Sequence, residues 1–548
     1  MNVAQTVSTC LQNFGVRRVY GLVGTSVLDF VDALSYTGMR YISTRHEQVA
    51  VSMADAEGRL TRFPGVAVVH GGPGFLNAII GLANAYKDSS PLLLISGAVK
   101  RRMRGYDGWL EVPQAELAKP FTKLAIRLDK PSEASLSISK AFLTAVSDPQ
   151  GPCYLEVPED VWALEAGAPS AHEGRASTPS VSDGFIDEVS RLLVKSDRPL
   201  ILAGGGLNTS SGSSALMDLL NLVDVLVATT GNGRGVIPED HPLCVGRVGF
   251  GGGNIVADYA LEQADLVIAA GCGISDVTTY GYNLRPKGNV VVVDFDGRES
   301  MPIRYLMHER GDAANFLMRL KGRIPVGTRK ERWGDALSAK RDQWNEMLSA
   351  AESRSRPGFV NPSRFFKELG TRLPAHSTVT GGQGLHILYA HAYLKAKEYG
   401  SFLEATNLGA MGFAFPAALG AKLAAPDRDV VAVLGDGEFM MTLQDFETAV
   451  REKIPVKVVI VNDSSYRVLL MRQIVQKMGR IYGTTHTNPD IMALGSAFGF
   501  RSMTIADDSL VPKALDFLFE ASSVPSVLEL VVNPEDLPPV NLEASLKF

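Results

Sequence analysis

Residues 431–437 read Val431-Ala432-Val433-Leu434-Gly435-Asp436-Gly437. An unbroken apolar run marks a strand buried on both faces, as in parallel sheets. A helical pattern follows from Phe439 to Val450. Asp436 therefore falls at the carboxyl end of a strand, where open α/β sheets take their ligands. Its flanking glycines let backbone approach an anionic ligand, and the helix start behind them favours phosphate. A second apolar run, Val456 to Val461, ends in Asn462-Asp463-Ser464-Ser465. Asp463 follows Asp436 by 27 residues, so adjacent parallel strands joined by a helix would bring the two carboxylates together. Two carboxylates, a loop carbonyl, water and a diphosphate make a good Mg²⁺ shell. Taken alone, Asp436 reads equally well as a helix N-cap and Asn462-Asp463 as a turn. The second strand end at this spacing weakens that reading.

The same apolar runs recur along the chain. They are Val19 to Val23, Gly65 to Val69, Leu92 to Ser96 and Cys153 to Val157; then Leu200 to Ala203, Leu266 to Ala270 and Asn289 to Asp294; then Val430 to Leu434, Val456 to Val461 and Val527 to Val532. Helical spacing lies between them, as in Gln48 to Leu60 and Leu443 to Lys453. Two Ser/Gly/Ala/Pro-rich stretches, Ala166 to Gly184 and Ala351 to Pro362, read as linkers. The expected fold is α/β, with three doubly wound parallel-sheet domains at 1–165, 185–350 and 360–548.

Composition narrows the function. Of 548 residues, 54 are Lys or Arg and 59 Asp or Glu, a net charge of −5 that argues against a general nucleic-acid binder. The four cysteines, Cys10, Cys153, Cys244 and Cys272, form no CxxC pair, which fits a reducing compartment rather than a disulfide framework or zinc site. The start Met1-Asn2-Val3-Ala4 does not read as a signal peptide, and no apolar run of membrane-spanning length exists. A cytoplasmic protein without membrane or nucleic-acid partners is expected.

Gly435-Asp436-Gly437, followed after 24 residues by Asn462-Asp463, resembles the cofactor motif of thiamine-diphosphate enzymes, the group of acetolactate synthases, pyruvate oxidases and 2-oxoacid decarboxylases. The resemblance covers essentially the whole chain. It implies that Gly435, Asp436, Gly437, Asp463 and Ser465 bind the diphosphate and metal, with Asp436, Asp463 and the Ser465 carbonyl on Mg²⁺. The group more often has Asn at Asp463. At Glu438 it prefers a small residue, so the Glu438 side chain is expected to point away. Asn407-Leu408-Gly409-Ala410-Met411-Gly412 also resembles the group, implying that Gly409 and Met411 hold the cofactor in a bent form. Outside that context Met411 reads as a core methionine.

The N-terminal third carries the second half of the resemblance: Arg45-His46-Glu47-Gln48, then Gly71-Gly72-Pro73-Gly74 to Asn77, then Ala85 to Pro91. By itself Glu47 reads as a first-turn helix residue. The resemblance implies that it shares a proton with the pyrimidine ring of thiamine diphosphate, so that the coenzyme can form a nucleophile and then store electrons as an enamine or carbanion. In relatives Glu47 and Asp436 meet across subunits, so a homodimer or homotetramer is expected.

Substrate-facing candidates are weaker. His70 ends the Gly65 to Val69 strand, at the place of an active-site histidine in benzoylformate decarboxylases, and is a candidate proton shuttle or else a structural histidine. Gly72, Trp109 and Leu110 stand near a substrate loop of acetolactate synthases, with Leu110 where that group has Gln. Arg472 stands where those enzymes carry a selective Trp, and Arg467 where relatives have Gly. Both arginines are candidates for a second anionic group on the substrate, or else solvated helix residues. Lys100-Arg101-Arg102-Met103-Arg104 is a candidate CoA-phosphate contact or a plain charged surface. In the middle third, Ala203-Gly204-Gly205-Gly206 and Val293-Asp294-Phe295-Asp296 resemble a domain that holds FAD or ADP in some relatives. Gly273 replaces the arginine of FAD binders. The reading is a lyase or carboligase acting on a 2-oxo acid with thiamine diphosphate and Mg²⁺. The alternatives are a 2-hydroxyacyl-CoA or oxalyl-CoA-type lyase on an acyl-CoA, and an FAD-dependent 2-oxoacid oxidase.

Overall fold

The computed structural model describes residues 1–169, 179–295, 302–325, 333, 335–542 and 544. The first expected linker lies partly outside these residues, as does Asp296.

Three six-stranded parallel sheets follow one another along the chain. The first holds β1 (Arg18–Leu22), β2 (Arg40–Ser43), β3 (Gly65–Val69), β4 (Leu92–Ala98), β5 (Leu124–Arg127) and β6 (Pro152–Pro158), in the order β2-β1-β3-β4-β6-β5. The second holds β7 (Pro199–Ala203), β8 (Leu226–Thr229), β9 (Cys244–Arg247), β10 (Leu266–Ala270), β11 (Asn289–Asp294) and β12 (Met307–Arg310), in the order β12-β11-β10-β7-β8-β9. That is the doubly wound order of dinucleotide-binding domains. The third holds β13 (Ser377–Gly381), β14 (Phe402–Glu404), β15 (Asp429–Gly435), β16 (Lys457–Asn462), β17 (Arg501–Ile505) and β18 (Ser526–Val531), in the order β14-β13-β15-β16-β18-β17.

Every strand anticipated from an apolar run is present, and each lies inside its sheet. The strands that the pattern does not announce include all the sheet edges, β2, β5, β9, β12, β14 and β17. An edge strand is short and half covered, as in β2 and β5, so its residues need not be continuously apolar. Buried β13 reads Ser-Thr-Val-Thr-Gly and is silent for another reason. Thr378 and Thr380 spend their hydroxyls on the Gly400 and Ala414 carbonyls, so polar residues sit in the core satisfied.

The helix expected over Phe439–Val450 is broken. A short turn, Asp436–Phe439, is followed by a 3₁₀ turn at Leu443–Asp445 and a helix at Phe446–Arg451. The second expected linker is pinned, because the buried Asn361 amide donates to the carbonyls of Ala351, Glu352 and Arg354.

The first and third units share one apolar core. It joins Val49, Met53 and Phe75 to Phe413, Phe415 and Phe446. The helices Glu47–Thr61 and Ala414–Ala424 form its centre, where Gly420 has no room for a Cβ against the Met53 carbonyl (2.2 Å). All three units meet at buried Asp88. Its carboxylate takes Arg59 (3.1 Å), Asn232 of the middle unit (2.9 Å) and Asn407 of the third (2.6 Å). Among the described residues no helix is long and apolar enough to cross a membrane.

Candidate active site

β15 and β16 are neighbours with Gly435 opposite Val461, so Asp436 and Asp463 emerge side by side at their carboxyl ends. Asp436 is buried, and its Oδ2 accepts from His486 Nε2 (3.0 Å) and Asn488 Nδ2 (2.7 Å). Asp463 accepts from the Ser465 amide (3.1 Å) and hydroxyl (2.8 Å). Burial pushes the Asp463 carboxyl above its ordinary pKa, and the nearby charge of Asp436 adds to the push. A buried carboxyl with raised proton affinity beside a second carboxylate asks for a cation between them. No group of three or more metal-binding side chains exists among the described residues, so these two would need a carbonyl, a ligand and water to complete a shell.

The pair opens onto a cavity of about 320 Å³ that reaches Met411, His386 and, on the middle unit, Arg247 and Phe250. A diphosphate fits this end of it. Both glycines of the motif are forced: a Cβ on Gly435 would lie 2.8 Å from His386, and one on Gly437 would lie 2.7 Å from the Tyr466 ring. His386 Nδ1 faces Gly435, while its buried Nε2 makes no hydrogen bond and lies 3.6 Å from Glu438 Oε2. His386, His486 and Asn488 carry no motif and are missed in the sequence, because only the folded loops bring them to Asp436.

Glu438 is buried and turned into the cavity wall. Its Oε1 accepts from the amides of Gly412 (2.9 Å), Phe413 (3.2 Å) and Ala414 (3.4 Å), and its Oε2 from Gln383 N (3.1 Å). It caps the N-terminus of the Ala414–Ala424 helix from across the site. The only side chain small enough at position 382 is that of glycine, since a Cβ there would overlap the Glu438 carboxylate. One acidic residue thus ties the metal turn to the Met411 turn. Gly409 and Gly412 hold φ of +74° and +80° on either side of Met411. The Met411 carbonyl accepts from Gln48 Nε2 of the first unit (3.0 Å).

The N-terminal candidates form a second cluster. Glu47 starts its helix buried, accepts from Asn77 Nδ2 (3.0 Å), and packs where Gly74 leaves room. His70 Nδ1 pairs with the Ser26 hydroxyl (2.7 Å), and the same hydroxyl accepts from the Gly71 amide (2.9 Å). The Ser26 amide also donates to Nδ1 (3.4 Å), which makes Nδ1 an acceptor and leaves the His70 proton on Nε2. Burial lowers the His70 pKa, so the ring is neutral at pH 7. Gly72 (φ +65°) touches the Leu110 carbonyl, and its amide donates to Gln114. Trp109 is 79% exposed beside it. Within one chain neither Glu47 nor His70 lines the cavity that holds Asp436 and Asp463, whereas Arg467 and Arg472 both do.

The charge run is spent locally: Lys100 pairs with Glu159, Arg101 with Asp160 and Arg104 with Asp129. In the middle unit the Gly204–Gly206 turn closes on the chain itself, with a Cβ on Gly204 only 2.1 Å from the Gly271 carbonyl. These glycines let two turns touch.

Comparison with known proteins agrees with this architecture. The family model "Thiamine pyrophosphate enzyme, N-terminal TPP binding domain" matches residues 1–120, the corresponding central domain 186–320, and the C-terminal TPP binding domain 382–530. A "Probable acetolactate synthase large subunit" of Methanocaldococcus jannaschii is 30% identical over 98% of this chain and 93% of its own length. The "Acetolactate synthase isozyme 2 large subunit" of Escherichia coli is 29% identical over 95% and 94%. Its "isozyme 3 large subunit" is 30% identical over 92% and 89%. With three thiamine-pyrophosphate enzyme domains in order and full-length likeness to these proteins, the chain belongs to the thiamine-pyrophosphate-dependent enzyme family, as an acetolactate-synthase-like member.

Proposed function

We propose that the protein is a thiamine-diphosphate- and Mg²⁺-dependent lyase or carboligase acting on a 2-oxo acid. The observation that carries this is the Asp436–Asp463 pair, set side by side at adjacent strand ends on a cavity that His386 also lines. Asp436, Asp463 and the Ser465 carbonyl would hold the metal, and His386 with the Gly435–Gly437 turn the diphosphate. Thiamine diphosphate, when bound, supplies a nucleophilic carbon and an electron sink. Gln48 and Glu438 fix the Met411 turn against which it rests. Glu47, oriented by Asn77, holds the proton shared with the pyrimidine ring. His70, kept neutral with Nε2–H outward, is a proton donor to the reacting carbon.

The two clusters complete one another only if a second copy brings its Glu47 side to this Asp436 side. Apolar side chains exposed in the single chain support that assembly. Leu76 and Ile80 flank Asn77, the partner of Glu47, on its helix, with Tyr106 and Trp109 nearby in sequence. Leu469, Ile474, Met478 and Tyr482 follow the metal loop. All four cysteines are free, in keeping with a reducing, cytoplasmic setting. Ion pairs at Lys100, Arg101 and Arg104 weigh against that run as the phosphate contact of the acyl-CoA alternative.

Two measurements test the reading: calorimetry of thiamine diphosphate uptake with and without Mg²⁺, and a panel of 2-oxo acids scored for CO₂ and aldehyde. Tight uptake only with Mg²⁺, and CO₂ from at least one acid, are expected. No uptake at saturating metal would end it.

A further inference from the structure

Unpartnered buried nitrogens are concentrated in one place. Arg247, Arg467 and Arg472 each carry a buried Nε–H without a hydrogen-bond partner, and all three line the cavity that holds Asp436, Asp463 and Met411. A buried donor left unpaired costs about 1–3 kcal/mol. A guanidinium does not escape by shedding its proton. Three of them on one cavity call for acceptors that enter from outside.

They approach from two walls. Arg247 ends β9 on the middle unit, while Arg467 and Arg472 ride the helix Arg467–Gln476 of the third. Arg247 is held on one side only. Its Nη1 donates to the Gly251 carbonyl and lies 2.8 Å from His391 Nδ1, and its Nη2 donates to the Phe250 carbonyl (3.2 Å). His391 Nε2 in turn bonds Glu404 (2.6 Å). Burial, against the pull of Glu404, holds the His391 pKa down to about 4, and Nδ1 also lies 2.5 Å from the Gly251 carbonyl. Glu404 therefore balances the Arg247 charge through an imidazole rather than by direct contact, and the Nε edge stays open. That edge borders Gly231, where a Cβ would come within 3.1 Å of Nη2 and 3.4 Å of Nε; glycine keeps it clear. On the facing wall, Arg467 and Arg472 form no ion pair among the described residues. The same cavity is also lined by apolar Leu385, Leu388, Val461 and Val468.

We infer that this cavity takes a substrate with two anionic groups on a short carbon chain: a dicarboxylic 2-oxo acid, one carboxylate on the Nε edge of Arg247 and the other on Arg467 and Arg472. The inference rests on the reading above, with the metal and diphosphate at the Asp436–Asp463 end of this cavity and the substrate beside them.

The test uses the full chain loaded with thiamine diphosphate and Mg²⁺. Glutarate and pentanoate have equal carbon number but two charges against one. Glutarate should bind roughly 10-fold more tightly by calorimetry, the effect of one charge-assisted pair. Arg467→Gln and Arg472→Gln should each remove most of that preference. Arg247→Lys should weaken glutarate binding as well. Because Arg247 sits in a domain junction and its variant could unfold, the helix variants decide the matter. Equal binding of the two acids overturns the inference, as does a preference that survives both helix variants or tighter binding of coenzyme A than of glutarate. In turnover, 2-oxoglutarate should exceed 2-oxopentanoate in kcat/KM by a similar factor. If both are consumed equally, the dicarboxylate inference fails and the enzymatic reading stands. If no 2-oxo acid is consumed but glutarate binding still depends on the arginines, the enzymatic reading fails and the anion site stands.

Discussion

The first and third sheets are one frame used twice. Counted from the start of each unit, both run 2-1-3-4-6-5, while the middle sheet does not. Matching points of the frame carry opposite chemistry. The third strand ends in His70-Gly71-Gly72 in the first unit and in Gly435-Asp436-Gly437 in the third. The fourth ends in apolar Ala98 in one and in Asn462-Asp463 in the other. After the second strand, one unit starts a helix on a buried Glu47 and the other places Met411 before a helix start capped from afar by Glu438. The two helices then pack on each other. The contrast shows that the sheet supplies only the ledge. Which residues stand on its carboxyl edge decides the chemistry proposed for each unit, a metal and diphosphate grip in the third and proton handling in the first.

The comparison can be broken by exchange of chemistry at matched points. The largest effect is expected from Asp436→Ala. It should abolish Mg²⁺-dependent uptake of thiamine diphosphate by calorimetry while circular dichroism stays native. Glu47→Gln should keep that uptake but cut turnover by about 10²–10⁴-fold, the usual worth of a positioned acid–base group. Uptake lost with Glu47→Gln, or kept with Asp436→Ala, would erase the division of labour between the units.

Asp88→Ala tests what joins the two frames. It leaves Arg59 with Asp55 but strips the bridge to Asn232 and Asn407. Breaking a buried pair costs about 3–5 kcal/mol, so a clearly lower unfolding midpoint in denaturant is expected. Glu438→Ser should weaken coenzyme uptake about 10-fold or less, since the amides of Gly412–Ala414 lose an anion rather than a packing partner.

The smallest effect is a pH slope. His391 has a folded pKa of about 4, below its ordinary value near 6.5. The unfolded chain takes up that proton first, so this contribution to stability is full above pH 6.5 and declines as pH falls toward 4. His391→Gln should flatten the urea-midpoint profile in that window. Asp258, whose folded carboxyl is pushed up to about 6 by burial, acts in the opposite sense. An unchanged slope in His391→Gln would mean that the ring is not the group responsible.

Much of this was written in single residues. Gly435-Asp436-Gly437 with Asn462-Asp463 announced a two-strand ledge, and the uniformly apolar runs announced the inner strands. Glu438 shows the limit of such reading. Its turning away is expected from sequence, but its destination is not: the carboxylate binds amides 24–26 residues upstream, a partner set invisible to any local pattern. His486 and Asn488, some 50 residues beyond Asp436, were silent for the same reason.

Sequence alone determined the fold class, the strand ends that carry acids, and the glycines those turns require. A long unbroken apolar run marks an inner strand before any neighbour is known, and a glycine pair around an acid marks a turn. Tertiary structure alone decided who meets whom. It chose the His391 link between Arg247 and Glu404, the arginines left open on one cavity, and the separation of Glu47 from Asp436 within a chain. Such pairings depend on distances between segments far apart in the chain, and these exist only once the sheets have packed.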